Sequence, residues 1–307
     1  MPAGTKVLGF ILPERLLHTV ASLAKEQGLD ARTLSNVLIA AGVIPERAPA
    51  HFPIPVEAGR EVASRMKRTV NVISLWKDRN FTRPIVEQFF DDRLLTPIYY
   101  GRPGTRGRTQ KAVDREEIAV LVGKLHATAV ELGVESDGLV SVSKAAEKAK
   151  VPAITVVHMI LGGFVERVFR LAGQDGLGAI RVDPDEVKRH RGACTAGLSP
   201  LAAFSTLKLP RDVGWALVGR CPDEMSLAVS WISCPNEGHR IPRFDREVVA
   251  KFKARFTHPA RLAEAHDLQI GEVVDRLKRR GIRPLLKRSE IGLDFYRISD
   301  LKADLII

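Results

Sequence analysis

Arg102, Arg106 and Arg108 alternate with three glycines in the stretch GRPGTRGR. A guanidinium is a permanent cation whose planar fork of donors suits phosphate oxygens and guanine edges. Glycines beside it leave the backbone free to follow a surface. The stretch fits a loop tip that reaches a minor groove or phosphates, and equally a solvated surface loop. A second basic set, Arg276, Lys278, Arg279 and Arg280, falls in EVVDRLKRR. At helical spacing Val273, Val274 and Leu277 form its apolar stripe, which leaves Glu272, Asp275, Arg276 and Arg279 on the outer face. VKRHRG, residues 187–192, is a basic helix end, where cations are favoured whatever the ligand.

Other chemistries find less support. His190, Cys194, Cys221, Cys234 and His239 are zinc-ligand types, but no CxxC or HxxxH spacing gathers them, and isolated cysteines read as buried hydrophobes. An odd set of three widely spaced cysteines argues against a disulfide framework and for a reducing, cytoplasmic setting. No phosphate-loop pattern occurs; GQDGLG at Gly173 has the wrong spacing. The histidines are scattered, no carboxylate cluster suggests a two-metal nuclease, and Tyr296 belongs to a packing pattern. Trp215 and Trp231 are expected in the core. The chain is therefore expected to be no enzyme, with no cofactor, no metal and no small-molecule substrate.

The elements that would position these cations repeat along the chain. Residues 21–45 and 260–284 align without a gap, matching Ala21/Ala260, Leu23/Leu262, Ala24/Ala263, Leu29/Leu268, Leu38/Leu277, Gly42/Gly281 and Pro45/Pro284. Helix-ending chemistry accounts for the last two pairs but not for the other five. The spacing predicts helices over 18–27 and 31–41 with a tight turn at Gly28, a helix-turn-helix. In a second copy Leu75, Phe81, Val86, Phe90, Leu95 and Pro97 take the places of Leu23, Leu29, Leu34, Leu38, Val43 and Pro45. A third uses Ala145, Ala146, Val151, Val156 and Ile160, with Pro152 near the start of its second helix. The faintest uses Ala203, Phe204, Leu209 and Val218, with Gly214 at a core position.

Each pair leads through short β-prone pieces to a capped helix: AVDREEIAVLVGKL, IRVDPDEVKRH, PRFDREVVAKF and FYRISDLKADL. Asp114 with Glu117 and Asp183 with Glu186 have capping-box spacing. The first copy has Pro53 and Pro55 where a wing strand would lie, so an extended segment is expected there. The fold expected is mainly α with short β wings, a tandem array of about five small winged helix-turn-helix modules over 1–68, 69–135, 136–192, 193–255 and 256–307.

The helix pair, the GIRP ending and the terminal FYRISDL resemble the compact winged helix-turn-helix of excisionase and MerR-type DNA-binding domains. The tandem array, with IAAGVIPERAPAHFPIP and LLTPIYYGRPGTRGRTQKAV, is similar to the C-terminal regions of TniQ-family transposition proteins of bacterial mobile elements. That family's N-terminal zinc-bearing region has no counterpart, since no CxxC pair occurs. The resemblance implies a role in transposition or its regulation.

Composition agrees with a polyanionic partner. Lys and Arg number 47 against 36 Asp and Glu, a net charge of +11. No stretch is long enough for a membrane span. Double-stranded DNA is the expected partner, with a transposase or other transposition protein as a further one. Beside Arg276, Lys278, Arg279 and Arg280, the outer positions of the first copy are Arg32, Thr33 and Asn36, and those of the second include Arg83, Glu87 and Gln88. The competing expectation is a protein adaptor in which the modules pack on each other or on a transposition partner. An RNA-binding role has no aromatic platform motif behind it.

Overall fold

The computed structural model describes residues 4, 6–7, 10–11, 15–75, 81–99, 111–134, 136–219 and 223–301. They are mainly helical, with small sheets of short strands. The helices are α1 (Val20–Gln27), α2 (Ala31–Ala40), α3 (Val56–Lys67), α4 (Arg83–Asp91), α5 (Arg115–Ala127), α6 (Val142–Ala149), α7 (Ala153–Leu161), α8 (Pro184–Cys194), α9 (Pro200–Leu207), α10 (Arg211–Gly219), α11 (Arg246–Arg255), α12 (Pro259–Ala265), α13 (Ile270–Arg279) and the single turn α14 (Arg288–Ile291). No helix is long and apolar enough to cross a membrane among the described residues. The chain divides into two compact units, Met1–Glu131 with Arg170–Ile180, and Leu132–Phe169 with Arg181–Ile307.

The repeat seen in the sequence returns as one turn geometry. Gly28, Lys150, Lys208 and Asp267 all adopt left-handed φ, at 66, 55, 56 and 51°. The residue after each donates its amide to the carbonyl five positions back: Leu29 to Ala24, Val151 to Ala146, Leu209 to Phe204 and Leu268 to Ala263, at 2.8–3.0 Å. This is the Schellman closure of a helix, and it fixes the angle at which the next helix departs. Only the first copy uses the glycine that makes such a turn visible in sequence. The fourth pair, faintest in sequence, has the same closure as the first, third and last.

In the first pair the starts are set by side-chain caps. Thr19 and Ser22 form a reciprocal box at α1, and the Asp30 carboxylate accepts the Thr33 amide at 2.8 Å to open α2. α1 begins at Val20 rather than at residue 18, because Leu17–His18 pair antiparallel with Ile54–Pro55. The extended segment expected at Pro53 and Pro55 is thus a strand whose partner is the lead-in to α1. In the second and third pairs the helices end one residue early, at Asp91 and Leu161, so Leu95 matches the buried Ile44 rather than Val43.

The spacing read as a capping box has another use. Asp114 and Asp183 do cap α5 and α8, accepting the amides of Glu116 and Asp185. Glu117 does not reach back to the cap. It accepts the Thr96 amide at 2.8 Å, and Glu186, buried, accepts those of Glu166 and Arg167 at 2.8 and 3.2 Å. Each thus ties the closing helix to the backbone just past the second helix of its pair. The last closing helix, expected from Phe295, is a 3-10 turn, Ile298–Asp300, with residues 302–307 outside the described set.

In the first unit Leu23, Leu34, Leu38 and Ile54 are fully buried, with Ile98 and Ala112 closing the same core. In the second unit Phe204, Trp215, Phe244 and Phe256 share one cluster with Leu286, Ile291 and Phe295, while Leu262, Val273, Leu277 and Tyr296 form a smaller one. Tyr296 is a packing residue, and so is Trp215. Trp231 is not in the core: on its strand, Ser230–Ser233, only Ile232 is partly buried, and Trp231 itself is 47% exposed.

Candidate nucleic-acid interface

The second helices of the pairs differ sharply in what they leave to solvent. Residues 154–161 of α7 are all buried, and so are residues 213–217 of α10. A helix apolar all round is a core element, and its side chains are unavailable to a groove. α7 is also closed at its end by the hairpin of strands Ser230–Ser233 and Arg240–Arg243. Asn236 donates its side-chain amide to the Leu161 carbonyl at 3.0 Å and its backbone amide to that of Gly162 at 2.8 Å. His239 Nε2 lies 2.9 Å from Nδ1 of the buried His158. Gly162 permits this approach, for a Cβ there would meet Cys234 Sγ at 2.9 Å.

α13 is built the opposite way. Of its side chains only Val273 and Leu277 are buried, four residues apart on one stripe. Leu262 and Ala263 of α12, with Tyr296, receive that stripe. Glu272, Asp275, Lys278, Arg279 and Arg280 are exposed, and Arg276 is half-buried. Arg276 reaches back one turn to Glu272 at 2.7 Å, and Arg279 Nε points to the Asp275 carbonyl at 3.4 Å. After the left-handed Gly281, the exposed Arg283, Lys287 and Arg288 extend the basic surface. Residues 270–288 hold seven cations against two carboxylates, enough excess to attract a polyanion.

No family model, curated protein or solved structure matches the chain. What the molecule offers must come from its own geometry. The remaining expected contacts are less concentrated. Arg32 and Arg83 are exposed near the starts of α2 and α4, but the Thr33 hydroxyl is spent on Asp30 at 2.7 Å. Asn36 and Gln88 are half-buried, and Glu87 is held by Lys111 at 2.8 Å. Arg102, Arg106 and Arg108 lie outside the described residues.

Sequence reasoning missed Arg283, Lys287 and Arg288, although their signal was present: the basic run simply continues past the helix stop at Gly281. The His158–His239 pair carried no such signal, because 81 residues separate the two. Among the described residues no group of three or more His, Cys, Asp or Glu is placed to hold a metal. Burial pushes the Cys194 thiol up to about 11, which keeps it protonated and unreactive at neutral pH.

Proposed function

We propose that the chain is a double-stranded DNA-binding protein of a bacterial mobile element, built as a tandem array of about five winged helix-turn-helix modules and acting in transposition or its regulation. The observation that carries this reading is α13. The fold asks it for two buried residues, while its exposed surface and the turn after it hold a concentrated set of cations. A braced helix with an open outer face is what entry into a major groove requires, and flanking cations supply phosphate contacts that fix its register. The shared turn geometry of four helix pairs supports the modular part. The mobile-element setting rests on the resemblance to TniQ-family proteins.

The adaptor reading is favoured for the third and fourth pairs by their buried second helices. These modules pack, and the grip on DNA falls to the last, with the first and second as weaker contributors through Arg32 and Arg83. The test is affinity for a duplex of about 50 base pairs as salt is raised. Log affinity should fall linearly with log salt, with a slope of roughly −0.9 for each phosphate neutralised. A flat response, or no binding at low salt, overturns the reading.

A further inference from the structure

We infer that α13 reads base edges at a cytosine-containing step through Glu272, with Gly271 providing the clearance, and that the cations after it grip phosphates. This rests on the DNA-binding reading above and adds to it a division of labour within one helix. The charges along the segment are segregated. Residues 269–276 carry Glu272 and Asp275 with one cation, Arg276; residues 277–288 carry Lys278, Arg279, Arg280, Arg283, Lys287 and Arg288 with no carboxylate. A phosphate repels a carboxylate, so the first two turns are a poor phosphate grip. A base edge is different: the cytosine amino group donates to a carboxylate, whereas thymine offers only an acceptor and a methyl there.

The pairing of Glu272 with Arg276 fits this use. At 2.7 Å across one turn, the exposed Glu272 carboxylate lies against the guanidinium of the half-buried Arg276, an acceptor beside a fork of donors. A C·G pair with a neighbouring guanine asks for that combination, Glu to the cytosine amino group and Arg to guanine O6 and N7.

Gly271 supplies the second observation. It sits in the first turn of α13, exposed, and a Cβ there would meet nothing within 4 Å. Its φ is not among the left-handed ones, so neither backbone nor packing calls for glycine. Glycine inside a helix costs stability relative to alanine, and it is used where backbone must come close to a ligand. On the helical wheel residue 271 falls beside 275, on the side opposite Val273 and Leu277, and Glu272 follows about 100° further round, so glycine and carboxylate flank the same open side of the helix.

The experiment is selection of duplexes from a library with a randomised core of about 20 base pairs, using the full chain and its Glu272→Gln and Gly271→Ala variants. The wild type should enrich a motif with one position where cytosine is preferred over thymine by roughly tenfold. Glu272→Gln should lose that preference while the other positions and the salt slope stay as they were. Gly271→Ala should melt no lower than the wild type yet bind the selected duplex several-fold more weakly. An identical motif for wild type and Glu272→Gln overturns the inference, as does wild-type binding that is salt-dependent but selects no motif; both leave the DNA-binding reading standing. Equal affinity of Gly271→Ala overturns the role of the glycine. No binding to any duplex at low salt overturns this inference and the DNA-binding reading together.

Discussion

The ring of Phe204 occupies the place where a side chain of residue 214 would stand. A Cβ on Gly214 would lie 2.4 Å from Phe204 Cδ1 and 2.6 Å from Cγ and Cε1. The ring meets Trp215 and Phe244 edge-on at centroid distances of 5.6 and 5.4 Å, so three aromatic side chains share the notch. The glycine that spoils the sequence pattern of the fourth helix pair is thus part of its core.

Gly214→Ala is expected to destabilise the second unit, by about 1–3 kcal/mol for an overpacked core. Urea unfolding followed by Trp fluorescence measures it. A smaller ring contact, as in Gly214→Ala with Phe204→Leu, should recover part of the loss, since the two sites compete for one volume.

The left-handed turns give a matched pair of predictions. Lys150 is exposed at φ 55°, where a side chain is strained, so Lys150→Gly should be neutral or stabilising, by up to about 1 kcal/mol. Gly28 has φ 66° with open space around its Cα, so Gly28→Ala should cost about 1 kcal/mol through backbone strain alone. Thermal denaturation of the two variants should therefore shift in opposite directions or, at the least, by clearly different amounts.

Stability should fall as the solution is acidified below neutrality. Burial pushes the imidazole of His258 below its ordinary value of 6.5, against the opposing hydrogen bond from Nε2 to the Leu207 carbonyl at 3.0 Å. Burial likewise lowers His18, with Glu26 opposing. Because the folded forms bind protons less readily than the unfolded chain, their stability is full above about pH 6.5 and is lost as pH falls toward the folded values. Urea midpoints at pH 7.5 and 5.5 test this; His258→Gln should narrow the gap between them, and an unchanged gap would assign the acid sensitivity elsewhere.

Neutralising cations after the helix should act uniformly on all DNA sequences. Lys278→Ala with Arg280→Ala is expected to lessen the slope of log affinity against log salt by roughly 2 and to weaken binding to selected and unselected duplexes alike. Footprints of both duplexes at two salt concentrations would show whether the loss is even.

The hairpin over α7 gives a final prediction. Asn236→Ala removes the donor to the Leu161 carbonyl, and losing one such bond should cost about 1 kcal/mol. DNA affinity should be untouched, since that hairpin is engaged by protein. A fall in affinity with unchanged stability would mean that the hairpin contacts DNA.

Much of this architecture was legible because helices announce themselves by period and by what stops them. The pairs at 20–40, 142–161 and 259–279 follow from apolar spacing and from glycines such as Gly42 and Gly281. Turns made by Lys150 and Lys208 were not legible as left-handed, because their conformation is imposed by the Schellman bonds and not by residue type. The roles of Glu117 and Glu186 were misread for a related reason. A D-x-x-E spacing is satisfied by a capping box, and only the packed structure brings Thr96 or Glu166 close enough to take the carboxylate instead. The basic face of α13 was visible from charge and period alone. The burial of α7 and α10 was not, since a helix with His158 or Arg211 on it carries no mark of how many neighbours will surround it.

The shared cluster of Phe204, Trp215 and Phe295 has a consequence for dissection of the chain. The segment after the last helix pair sends Leu286, Ile291 and Phe295 into the core of the pair before it. A fragment cut at residue 256 would expose those three side chains and leave the preceding pair with a void. The period of the sequence should therefore be shorter than the period of cooperative unfolding: the last two repeats are expected to melt as one body, and an isolated terminal repeat is expected to be no miniature of the whole.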